Sequence, residues 1–154
     1  MKFSMVVMAL LLVFGCKIKT LTGTVVRVAD GDTFTLLVDG NRQIRVRLHG
    51  IDCPERGQPY SRAATDHLKA LLAKGNIRVT EMDTDRYGRT IGMVYAGGVN
   101  VNESLLANGL AWHSSVFDQR PAWAELEALA REQQLGLWAE RNPVAPWDWR
   151  KTRR

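Results

Sequence analysis

Polar and apolar residues alternate from Leu21 onward in two stretches, TGTVVRV and TFTLLVDGNRQIRVRL, both rich in β-branched side chains. Successive side chains of a strand point to opposite faces, so a period of two marks a half-buried strand. Asp39-Gly40 interrupts the second stretch with the residue pair that a tight hairpin favours. Three consecutive strands are therefore predicted. The period then changes. In PYSRAATDHLKALLAKG, Tyr60, Ala64, Leu68 and Leu71 share one helical face, with Pro59 near the start and Gly75 as a stop. NIRVTEM and RTIGMVYAG return to strand patterning. NVNESLLANG predicts a short helix, with Asn100 and Glu103 spaced as a capping box and Gly109 beyond its end. RPAWAELEALAREQQLG predicts a longer helix that starts at Pro121 and turns Trp123, Leu126 and Ala130 inward.

Five strands with about three helices make an α+β chain, and this order suggests a small five-stranded, OB-fold-like β-barrel with the helices packed against it. The 154 residues suffice for one core and not for two. Such barrels often bind oligonucleotides, but a fold alone does not fix a function. A net charge of +5 and a pI near 9.6 favour an anionic partner.

The N-terminus has a different character. Met1-Lys2 opens a charged segment, and Met5 to Gly15 is an unbroken apolar run of 11 residues. That is too short to span a bilayer and fits the apolar region of a secretory signal. Residues 1–15 are expected to be a signal peptide, followed by a linker over 16–20, a folded domain over 21–141 and a basic, Trp-containing tail over 142–154. VFGC also resembles a lipoprotein box, although Phe14 stands where a small residue is usual. Cys16 would then be the lipidated mature N-terminus, so both simple export and anchoring stay open. The expected location is outside the cytoplasm: periplasmic, secreted or lipid-anchored to a membrane. Cys16 and Cys53 are the two cysteines, and no disulfide is expected between them.

Three polar clusters carry candidate chemistry. DGDT, Asp30 to Thr33, lies between the first two predicted strands. It reads first as a turn, and Phe34 stands where an EF-hand needs its third oxygen ligand. In RLHGIDCPE, alternation sends Ile44, Val46 and Leu48 to the core and Arg45 and Arg47 to the other face. Asp52 and Glu55 then follow on a turn stiffened by Pro54. DTDRYGR, Asp83 to Arg89, places another guanidinium at a strand mouth. Each cluster alone fits a turn or a solvated strand face. Together they hold the parts that phosphodiester hydrolysis requires. Guanidiniums give paired donors to phosphate oxygens, hard carboxylate oxygens suit calcium, and a carboxylate can take a proton from water.

On VADGDTFTL, RVRLHGIDCPE, DRYGR and NVNESLLANGLA, in that order and spacing, the chain resembles the staphylococcal (micrococcal) nuclease family, the thermonucleases, over about Leu21 to Arg141. The resemblance implies a calcium-dependent, sugar-non-specific endonuclease that cleaves DNA and RNA and leaves 3′-phosphate ends. By the same resemblance, Asp32, Asp52 and the backbone carbonyl of Cys53 hold Ca2+, and Asp30 stands nearby as an outer carboxylate. The family pattern has threonine where this chain has Cys53. Glu55 positions or activates the water, Arg47 and Arg89 grip the phosphate, and Tyr87 belongs to the phosphate pocket. The family's nucleotide-contacting tyrosines fall near Ser115 and Phe117, so Trp112 and His113 become candidates for stacking, with His113 better read as a core-edge residue. In the tail, Trp147 and Trp149 are expected to dock on the barrel, and Arg150, Lys151, Arg153 and Arg154 to add affinity for a nucleic-acid backbone. A monomer is the expected state. The competing readings are a catalytically inactive nucleic-acid-binding module of the same fold and a secreted structural domain. The first such modules generally lack the acidic and arginine set, and the second leaves that set unexplained.

Overall fold

The computed structural model describes residues 19–153. The expected signal segment, Cys16, most of the linker and Arg154 lie outside them. β1 (Thr20–Val28), β2 (Thr33–Val38) and β3 (Arg42–Leu48) form an antiparallel meander. The β2–β3 turn is the predicted Asp39-Gly40 pair, with φ of 52° and 77°, the double positive φ of a tight hairpin.

Beyond α1 (Ser61–Leu72), β5 (Ile77–Thr84) pairs with the free edge of β1, and β6 (Thr90–Ala96) pairs with β5. β6 also runs parallel to β3, with Val46 opposite Thr90 and Arg47 opposite Ile91. That pairing closes the sheet into a five-stranded barrel and leaves no long edge among these strands. The α+β, OB-fold-like expectation holds. Three two-residue strands add to it: β4 (Ile51–Asp52), β7 (Val99–Asn100) and β8 (Trp112–His113). Two residues carry no periodicity, so no sequence pattern announces them.

Val46, Leu48, Ala64, Leu68 and Leu71 are buried as expected, whereas Ile44 and Tyr60 are only partly buried at the edge of the core. Phe34, Leu36, Val46 and Leu48 fill the barrel, and Ala64, Leu68 and Leu71 of α1 cover its end. Asn100 caps α2 (Val101–Ala107) by accepting the Glu103 N–H at 3.2 Å. The Glu103 carboxylate does not complete a capping box. It accepts instead from the indole Nε1 of Trp123 at 3.1 Å, tying α2 to α3 (Pro121–Glu132). Trp123 and Ala130 are buried, and Leu126 packs against the core at its edge. A 3-10 turn at Gly136–Ala139 leads into the tail, which forms a helix, α4 (Pro146–Lys151). This tail folds back over the barrel mouth, where the β1–β2 turn, the end of β3, β4 and the β5–β6 turn converge.

Candidate active site

Asp32 and Asp52 meet at that mouth because backbone geometry sends them there. Asp30 accepts the Asp32 N–H at 3.1 Å, a local Asx turn that tightens the β1–β2 connection. Gly31 lets this turn sit against its neighbours: a Cβ there would lie 2.8 Å from the Cβ atoms of Ala64 and Cys53. Cys53 donates its backbone N–H to Asp32 Oδ2 at 2.8 Å, joining the segment after β4 to the β1–β2 turn. Arg47, one residue from the end of β3, reaches between the two carboxylates. Nη2 donates to Asp52 Oδ1 at 2.8 Å, and Nη1 faces Asp32 Oδ2 as an ion pair rather than an aligned hydrogen bond.

Both aspartates are buried. Burial pushes the Asp32 carboxyl above the ordinary carboxylate value, opposed by Arg47 and helped by the adjacent Asp30. Burial also works against the charge on Arg47, but Asp32 and Asp52 outweigh it and raise its pKa. The Cys53 thiol is buried beside the same acids, and burial first, then Asp32, pushes it well up. It remains a thiol, donating to the Gly31 carbonyl at 3.3 Å.

Glu55 lies on the next loop, half-exposed. Its N–H donates to Gln58 Oε1 at 2.6 Å, and Gln58 Nε2 donates to the Val144 carbonyl of the tail at 3.0 Å. Its carboxylate accepts from Arg150 Nη1 of α4 at 2.5 Å. Arg150 Nη2 donates to Asp52 Oδ2 at 2.8 Å, so one guanidinium joins the two acids. Across the mouth, Asp85 Oδ1 accepts the N–H groups of Tyr87 and Arg89, each at 2.9 Å, and Oδ2 accepts Arg89 Nε at 2.7 Å. Arg89 is thereby fixed with its two terminal nitrogens outside that contact. The Tyr87 ring is exposed, with Arg86 5.1 Å and Arg89 5.7 Å from its centroid.

Asp32, Arg47, Asp52, Glu55, Tyr87 and Arg89 all line one open cavity of about 480 Å³, together with Arg86, Phe117 and Arg150. A carboxylate set fenced by guanidiniums suits an anion bound beside a hard cation. Asp32 and Asp52 offer hard oxygens, and no imidazole or thiolate stands with them, which fits an alkaline-earth ion and not zinc. Among the described residues, no three His, Cys, Asp or Glu side chains converge as a self-sufficient metal cage. A cation here would therefore complete its shell with backbone carbonyl, water or substrate oxygens.

Comparison with known proteins agrees with this geometry. The family model described as "Staphylococcal nuclease homologue" matches residues 45–140. An "Uncharacterized endonuclease" of Escherichia coli O157:H7 is 44% identical over 83% of this chain and 84% of its own length. A "Micrococcal nuclease" of Shigella flexneri is 44% identical over 84% of this chain and 80% of its own length. An "Uncharacterized endonuclease" of Haemophilus influenzae is 35% identical over 93% and 83%. The chain belongs to the staphylococcal nuclease family.

Every residue that the family motifs single out is brought to one cavity, including Asp30 and Tyr87. Cys53 contributes its N–H to Asp32. Trp112 does not line this cavity. Its ring is held between Trp138 and Trp147, at 4.5 and 5.5 Å between centroids. His113 is likewise enclosed, 3.9 Å from Asp118 and edge-on to Trp123. Phe117 is exposed on the cavity wall. Of the tail aromatics, Trp147 docks on Trp112, and Trp149 lies against Pro54 and Gln58. Lys151 pairs with Asp148, and Arg153 lies over Trp149. Sequence reasoning missed Asp85, Gln58 and the placement of Arg150. The aromatic pair signalled that the tail docks, but nothing local signals that Arg150 ends beside a glutamate 95 positions earlier.

Asp85 gives a pH-dependent expectation. Partial burial opposes its charge, but the hydrogen bonds from Arg89 and Tyr87 outweigh this and hold its pKa below the ordinary value. A depressed folded pKa stabilises the fold above the unfolded value of about 3.9, and that contribution disappears as pH falls through the folded value. Asp85→Asn is expected to destabilise the fold at pH 7, with the gap to wild type narrowing below about pH 4. Urea denaturation midpoints at several pH values measure it, and a gap that is constant from neutral to acid pH contradicts it.

Proposed function

We propose that this phosphodiester hydrolase is a calcium-dependent nuclease that cleaves both DNA and RNA and leaves 3′-phosphate ends. The observation that carries the reading is the convergence of Asp32, Asp52, Glu55, Arg47 and Arg89 on one cavity. Asp32, Asp52 and the carbonyl of Cys53 would hold the ion, which supplies positive charge to a phosphate oxygen when bound. Arg47 and Arg89 donate to the non-bridging oxygens, where negative charge grows in the transition state. Glu55 accepts a proton from the attacking water. The water oxygen bonds to phosphorus as the P–O5′ bond breaks, and the 5′ oxygen leaves with its electron pair and gains a proton. Phosphate stays on the 3′ carbon. Tyr87, with Arg86 over its ring, flanks the path of the backbone. An inactive binding module of this fold would have no use for the complete acid and arginine set.

Export is proposed alongside, from the apolar run before Cys16. It suits the chemistry, because calcium is scarce inside cells and a non-specific nuclease there would threaten the genome. Fractionating cells that express wild type and Cys16→Ser separates the two forms. An anchored protein leaves the membrane fraction on substitution, and a released one is unaffected. Recovery of the intact chain, Met1 included, from cytoplasm would overturn export.

The catalytic reading makes a joint expectation. Cleavage of DNA and RNA stops in a calcium chelator and returns with calcium. Glu55→Gln, Arg47→Ala and Arg89→Ala each lower turnover by roughly hundreds-fold in calcium, with the fold retained by circular dichroism. Lysine at either arginine position does not rescue, because a point charge lacks the paired donors. Undiminished cleavage in chelator, or wild-type rates in all three variants, contradicts the reading.

A further inference from the structure

We propose that Arg150 is a positioning residue of the active site, delivered by the C-terminal helix to hold the Glu55 and Asp52 carboxylates in fixed relation. The inference rests on the catalytic reading above. Among the described residues, Arg150 is the side-chain partner of Glu55, at 2.5 Å, and its other terminal nitrogen lies 2.8 Å from Asp52 Oδ2. Asp52 is thus pinned from two sides, by Arg47 on Oδ1 and by Arg150 on Oδ2. A planar guanidinium bridges the two carboxylates through separate nitrogens in a fixed fork, a geometry that the single nitrogen of an ammonium does not reproduce.

The tail is held in place for this task by contacts outside the site. Trp147 meets Trp112 edge-on at 5.5 Å, and β8, which carries Trp112, pairs Trp112 with Asp52 across β4. Gln58 connects the backbone of the Glu55 loop to Val144 of the tail. The tail therefore grips the loop that bears Glu55 and the strand that bears Asp52, and Arg150 ties their side chains together. A long half-exposed glutamate side chain otherwise samples several rotamers, and holding one of them removes that freedom before the reaction begins.

The same placement sets an opposite expectation for a cation. Arg150 occupies an oxygen of Asp52 and carries a positive charge beside the place where an ion would bind. Removing it frees that oxygen and relieves repulsion, so calcium binding tightens while turnover falls. A tail that only stabilises the fold would move both downward.

Arg150→Ala and Arg150→Lys, each in the full chain, test this by three readouts. The expected result for Arg150→Ala is a kcat at least about tenfold lower with KM for a short oligonucleotide within about threefold. Calcium affinity, measured by titration calorimetry without nucleic acid, is expected to be about three- to tenfold tighter. The melting temperature is expected to stay within a few degrees, since the Trp147 and Gln58 contacts remain. Arg150→Lys should not restore kcat. Wild-type kcat in Arg150→Ala overturns the proposal, as does a loss of kcat accompanied by weaker calcium binding and a lowered melting temperature. Full rescue by lysine overturns it as well. Should the wild-type protein bind no calcium, the calcium reading fails by itself. The turnover arm, run with whichever divalent ion supports cleavage, then still decides on Arg150.

Discussion

The Arg47 guanidinium between Asp32 and Asp52 is the contact on which the site depends. The two acids arrive on different segments, the β1–β2 turn and the end of β4, and burial makes each charge costly alone. A single buried cation satisfies both and keeps the segments together. Its own position follows from the sheet: Arg47 lies opposite Thr33 on β2 and opposite Ile91 on β6, at the seam that closes the barrel. Barrel closure therefore places the residue that joins the acid pair. Buried ion clusters of this kind are not a general route to stability, since desolvation opposes the attraction. Their presence here makes sense as stored charge complementarity, ready to be redistributed when a cation and a phosphate enter.

Around that centre the site is built by pairing each reactive group with a partner that orients it. Asp85 holds Arg89, and Gln58 holds the Glu55 backbone. Arg150 joins the Glu55 carboxylate to Asp52. Asp85 and Gln58 are local partners, four and three residues from the groups they hold, whereas Arg150 comes from 95 positions away, so the tail closes one side of the barrel mouth. Trp112, half-buried and in edge-on contact with Trp138 and Trp147, is the link between the two.

The sequence was most informative where chemistry is local. Strand alternation gave the faces of β2 and β3, Asp39-Gly40 the hairpin, and Asn100 the start of α2. The motif residues Asp32, Arg47, Asp52, Glu55 and Arg89 were legible because the family keeps them in short, ordered runs. Less legible were contacts between segments far apart. The two-residue strands β4 and β8 have no pattern of their own, yet their pairing sets Trp112, a candidate for base stacking, against the Trp138 cluster. Glu103 had the spacing of a capping box and was drawn instead to the Trp123 indole, a tertiary partner that spacing cannot reveal. Arg150 stood among four basic tail residues, and only the docked helix distinguishes it from the others.

The most direct test of this account is the thermal stability of Arg47→Ala with and without calcium. In chelator, the variant should be destabilised by about 3–5 kcal/mol, because buried Asp32 loses its guanidinium and Asp52 loses one of its two. Saturating calcium should then raise its melting temperature by more than it raises that of wild type, since the Arg47 guanidinium no longer stands between the two acids. A variant as stable as wild type in chelator, or one that calcium stabilises no more than wild type, would contradict the account.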